Sequence, residues 1–97
     1  MTTSDPMAIT YSDEKLRILV EEYITQQRTK FSFKGVCSYI LFWAMEDGAV
    51  AQTGQDIYDN AELNNSDQAR VSGSLLIIMA DGRITRDSND NTIFVKR

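Results

Sequence analysis

Towards its end the chain holds a helix that must stop and turn back as a hairpin. Val71, Leu75, Ile78 and Met79 recur at helical spacing and then meet Asp81-Gly82. Glycine at that point takes the left-handed conformation that terminates a helix. Beyond it, Arg83–Arg86 and Thr92–Val95 read as two strands. Between them Asp87-Ser88-Asn89-Asp90-Asn91 is made wholly of residues that tolerate turns. Asn65 or Ser66 is expected to cap the helix, which then runs over 66–81.

Reading back from there, Thr53-Gly54-Gln55-Asp56 is a capping-box variant, an N-cap with a carboxylate three residues on. It opens a short helix reaching about Glu62, with Ile57, Tyr58 and Ala61 inward, and Asn64-Asn65 turns the chain into the next helix. Ala49–Gln52 is a candidate short strand. Val36 to Glu46 is the most apolar run, and Gly48 ends it. A helix apolar nearly all round is usually central. Val36, Cys37, Ile40, Leu41 and Ala44 share one stripe, while Tyr39, Phe42 and Trp43 share another. Phe31-Ser32-Phe33 is too short to assign and is expected to be an extended link. Ser12 caps a helix over 13–28, with Asp13 and Glu14 in its first turn and Tyr11 and Leu16 at staple positions. Leu16, Leu19, Val20, Tyr23 and Ile24 form its stripe. Residues 1–11 are polar, carry Pro6 and are expected to be a disordered lead-in.

Short helix, turn, longer helix ending in glycine, then a hairpin is the order of a winged helix-turn-helix. The expected fold is mainly α with a small β-hairpin, a winged helix-turn-helix with an extra N-terminal helix. Residues 12–97 make one domain, with the N-terminal helix and link over 12–34 and the winged helix over 36–97. A chain of 97 residues has room for one such core.

Composition narrows the chemistry. There is no histidine and one cysteine, Cys37. An internal disulfide is impossible, and a structural zinc site of the usual nitrogen and sulfur ligands cannot be assembled within one chain. No serine or cysteine has a histidine to activate it. The Asp87–Asn91 turn begins like a calcium loop, but Thr92 stands where glycine is required. No enzyme, cofactor or metal is expected. The start lacks a signal-peptide core, and no apolar run approaches the roughly 20 residues of a membrane span. A cytoplasmic protein is expected.

The net charge of −4 counts against nucleic acid, but its distribution does not. From Gly35 to Leu63 there is no lysine or arginine, whereas Arg70, Arg83, Arg86, Lys96 and Arg97 return where a recognition helix and wing would stand. The wide major groove accepts such a helix. The candidate DNA-binding residues are Asn65, Ser66, Gln68, Arg70, Ser74, Arg83, Arg86 and Lys96. Glutamine bridges adenine and arginine bridges guanine. Serine and asparagine hold phosphate oxygens, and the wing cations neutralise backbone charge. A polar helix start is equally what a solvated, capped end presents. Gly73 inside the helix costs roughly 1 kcal/mol relative to alanine, and close packing is its commonest reason.

Ser66-Asp67-Gln68-Ala69-Arg70, followed by Leu75, Ile78, Gly82, Ile84 and Arg86, resembles the winged helix of small bacterial transcription regulators, in particular those controlling fimbrial operons. Tyr39-Ile40-Leu41-Phe42-Trp43-Ala44 resembles the helix that leads into it in the carnitine-operon and virulence activator group. The resemblance covers about residues 36–97 and implies a transcription regulator with Gln68 and Arg70 near double-stranded DNA. The acidic 35–63 segment and the long turn at Leu63–Asn65 depart from that pattern.

Two half-sites multiply a weak single contact. A homodimer is therefore expected, with Leu19, Tyr23, Tyr39, Phe42 and Trp43 as its candidate surface. The alternative is an acidic winged-helix module that binds another regulator protein rather than DNA.

Overall fold

The computed structural model describes residues 9–50 and 63–97. Within them the chain is mostly helical, an α+β arrangement of three helices and a three-stranded antiparallel sheet. The helix expected over 53–62 lies outside the described residues, as do most of the lead-in and Ala51-Gln52.

Helix α1 (Asp13–Gln26) begins where Ser12 accepts the Lys15 N–H at 3.1 Å, with Asp13 and Glu14 facing the positive end of the helix. It buries Leu16, Leu19, Val20 and Ile24, and stops two residues short of the expected end. Strand β1 (Lys30–Ser32) follows, and Ser32 then caps α2 (Phe33–Glu46) by accepting the Gly35 N–H at 2.9 Å. The expected extended link is thus a strand plus the first residue of a helix. Gly35 lies under the Tyr23 hydroxyl, and a β-carbon there would run into it. Asp47 and Gly48, at φ 69°, close α2.

Helix α3 (Asn65–Ala80) is capped by Asn64, whose side-chain oxygen accepts the Asp67 N–H at 2.7 Å. The cap is therefore one residue before the expected Asn65 and two before Ser66, and Asn65 is already helical. Gly82, at φ 81°, ends the helix as its position requires. Strands β2 (Ile84–Arg86) and β3 (Ile93–Lys96) form the expected hairpin. The sheet order is β1-β3-β2, with Phe31 opposite Phe94 and their rings stacked at 5.3 Å.

One core joins these layers. Leu16, Val20, Val36, Ile40, Val71, Leu75, Ile78, Ile84 and Phe94 are almost wholly removed from water. α1 packs on both other helices, and the sheet covers the end formed by α2 and α3. The last residues of the expected lead-in belong to this core. Ile9 is buried and bridges Val50, and the Thr10 N–H donates to the Ala49 carbonyl at 2.8 Å. Gly73, expected to permit close packing, does not: a β-carbon there meets nothing within 4 Å.

Candidate nucleic-acid interface

Arg70 and Ser74, two of the residues expected at DNA, are used inside the molecule. Arg70 donates through Nε to Asp13 at 2.8 Å, through Nη1 to Asp67 at 3.1 Å, and through Nη2 to the Tyr11 carbonyl. Asp67 is buried, and its second oxygen accepts the Ile9 N–H at 2.9 Å. The cluster ties the segment before α1 to the first turns of α3. Desolvation opposes the Arg70 charge, but the bonds to Asp13 and Asp67 outweigh it and raise the guanidinium above its ordinary range. Ser74 is 6% exposed and cannot reach a groove. It faces the α1 side of α3, which widens the buried arc beyond the apolar stripe. Both residues are corrections to the expected interface.

The remaining candidates are scattered. Asn65 and Ser66 are exposed on the first turn of α3. Gln68 is half-buried, and its amide donates to the Leu63 carbonyl at 2.8 Å. Arg83 pairs with Glu21 at 3.3 Å and Asp81 at 3.5 Å, and the Glu21 hydrogen bond is the main cause of its raised pKa. Lys96 gives its ammonium to the Gln27 carbonyl at 2.9 Å. Arg83 and Lys96 line a hollow with Glu21 and Ile24, at the end of α1 away from the start of α3. Arg86 is exposed, donates to the Asn91 carbonyl at 2.8 Å, and lies 5.2 Å from the centre of the Phe94 ring. The expected single basic surface is therefore divided between two places.

Two hollows share one face of the molecule. A hollow of about 300 Å³ is lined by Phe33, Lys34, Ser38 and Gln68, among others. A second, of about 230 Å³, is lined by Phe33, Ser72, Arg86, Asn91 and Thr92, among others. The two meet at Phe33. Together they run from the first turn of α2 across α3 to the hairpin. Among the described residues neither has a carboxylate in its lining, although Asp90 accepts from the lining Thr92 hydroxyl at 2.7 Å, whereas two further hollows hold Asp13 and Glu14 or Glu21. Lys34 is exposed and makes no ion pair among the described residues. Sequence reasoning did not find Lys34, Ser38, Ser72, Asn91 or Thr92. The available signal was Ser32-Phe33-Lys34-Gly35, a helix cap that places Lys34 on the first turn of α2.

The expected dimer surface also divides. Leu19 is buried in the core and is unavailable to a partner, a correction. Tyr23 is half-buried, edge-on to Phe31 at 6.0 Å and tilted against Tyr39 at 5.2 Å. Tyr39 is half-buried as well and accepts from the Gln26 amide at 3.2 Å. Phe42 and Trp43 are exposed, at 54% and 39%, with their rings edge-to-face at 5.4 Å. Cys37 lines the first hollow, and burial pushes its thiol up to about 11.

No described helix is long and apolar enough to cross a membrane. No family model, curated protein or solved structure matches the chain.

Proposed function

We propose that this chain is a cytoplasmic winged-helix transcription regulator that lays the α2–α3–hairpin face against double-stranded DNA. The observation that carries the reading is the face on which Lys34, Gln68, Ser72 and Arg86 line two hollows that share Phe33, with no carboxylate among the described lining residues. The order of elements supports it. β1 lies between α1 and α2 in sequence, α3 leads directly into the hairpin, and β3 sits between β1 and β2. Among the described residues that order fits a winged helix, such as those of the small bacterial regulators the sequence resembles. α3 is then the groove helix, β2–β3 the wing, and Lys34 and Arg86 the phosphate contacts on either side. Asn65 and Ser66 stand at the groove end of α3. Two copies on adjacent half-sites would raise the affinity, with Phe42 and Trp43 as the surface between them.

Binding to labelled random duplex DNA, followed by fluorescence anisotropy across a salt series, tests the reading. Wild type should bind at low salt, and Lys34→Ala and Arg86→Ala should each reduce the slope of log affinity against log salt by about 1. Arg83→Ala, whose partner is Glu21, should leave that slope unchanged.

A specific observation favours a second reading, a module that binds another regulator protein. Arg70 and Arg83 are already neutralised by carboxylates, the net charge is −4, and Phe42, Trp43, Leu76 and Ile77 are exposed. A folded protein with no affinity for any duplex at low salt would favour it.

A further inference from the structure

Which base pairs α3 can recognise depends on which of its side chains are free. Arg70 is the one cation of this helix and Asp67 its one carboxylate. Both are used in the cluster with Asp13, the Tyr11 carbonyl and the Ile9 N–H. The helix therefore has no guanidinium free to take the two acceptors of guanine, and no carboxylate free to accept from the amino group of cytosine. The outward side of its first turns carries Asn65, Ser66 and Ala69, all exposed, while Leu76 and Ile77 are exposed further along. Asn65 and Ala69 are four residues apart and so lie one above the other. A side-chain amide matches the N6 and N7 edge of adenine, and a small apolar group packs on the thymine methyl.

We infer that α3 selects A·T base pairs from the major groove, with Asn65 as the adenine contact and Ala69 against the thymine methyl. The inference rests on the DNA-binding reading above. It concerns only the choice of base, since the phosphate contacts at Lys34 and Arg86 are indifferent to sequence.

The test uses the full chain and a pool of duplexes with a randomised core. The bound fraction is sequenced, and each A·T pair of the selected duplex is then replaced in turn by G·C and by I·C. An inosine–cytosine pair presents the major-groove edge of G·C but, like A·T, lacks the minor-groove amino group. Selection should enrich A·T pairs. At the contacted positions I·C should weaken binding as much as G·C does, by about tenfold per pair. Asn65→Ala should flatten the preference at one position. Asn65 is exposed and follows the cap, so the variant keeps the fold, which its thermal transition checks.

Enrichment of G·C, or no enrichment in a pool that binds, overturns the inference and leaves the proposed function standing. So does tolerance of I·C where G·C is refused, because the choice is then made in the minor groove. Absence of binding to every duplex at low salt removes the proposed function and the inference together.

Discussion

Replacing Arg70 with alanine should unsettle the fold rather than a ligand contact, and the structure sets the size. The guanidinium bonds Asp13, Asp67 and the Tyr11 carbonyl, and its side chain is 29% exposed. Asp13 is 85% exposed, and such a pair contributes about 0–1 kcal/mol. Asp67 is different, with a side chain only 7% exposed. Removing one partner of a fully buried pair costs about 3–5 kcal/mol. Here the Ile9 N–H still serves the Asp67 carboxylate, and Arg70 is in part wet, so the cost should be about 2–3 kcal/mol. For a chain of this size that lowers the melting midpoint by about 10–20 °C. Far-UV circular dichroism through thermal and urea unfolding measures it. Asp13→Ala should cost less than about 1 kcal/mol. Arg70→Ala should cost less in an Asp67→Asn background, because the two side chains share one interaction. A loss under about 0.5 kcal/mol for Arg70→Ala would refute the reasoning, since surface changes outside such features stay within that range.

Other consequences are more local. Gly73→Ala should stabilise the chain by roughly 0.5–1 kcal/mol, because the position is helical and a β-carbon meets nothing there. A lower melting midpoint would contradict it. Gly35→Ala should destabilise by about 1–3 kcal/mol through the clash with the Tyr23 hydroxyl, and Tyr23→Phe in the same chain should return part of the loss. Burial raises the Cys37 thiol to about 11, so at neutral pH it is protonated and iodoacetamide should label it far more slowly than a free thiol. The folded-state pKa lies above the unfolded one, so the thiol adds to stability below the unfolded value. That contribution falls as pH rises towards 11.

Much of this fold can be read from local chemistry. Ser12, the two carboxylates after it and the Leu16–Ile24 stripe act within a few residues of one another, and α1 starts where they place it. The same holds for Gly82 and the Asp87–Asn91 turn, which bracket the hairpin. β1 could not be read in this way. Three residues do not carry a period, and Lys30–Ser32 become a strand because β3, far along the chain, offers them a partner. Helix α3 was legible as a helix but not by its faces. Val71, Leu75 and Ile78 mark its core side, yet α1 also covers the flank that holds Asp67 and Ser74. That contact turns a candidate phosphate ligand into a buried hydroxyl.

The candidate site was legible only in part for the same reason. Five basic residues in the last third stand out in the sequence, but their carboxylate partners do not. Asp67 is three residues from Arg70, whereas Asp13 and Glu21 reach Arg70 and Arg83 only through the packing of α1 on α3. Lys34 was passed over because its place depends on Ser32 capping α2 next to a strand that local sequence does not reveal.

The most direct test of the proposed interface is an amide chemical-shift titration of the nitrogen-15 labelled chain with duplex DNA at low salt. Shifts should concentrate at Lys34 to Ser38, Asn65 to Ser72 and Arg86 to Thr92, while the amides around Arg83 and Arg97 stay in place. Shifts confined to the Phe42–Glu46 surface or to the Arg83 end of the molecule, or no shifts at all, would contradict it.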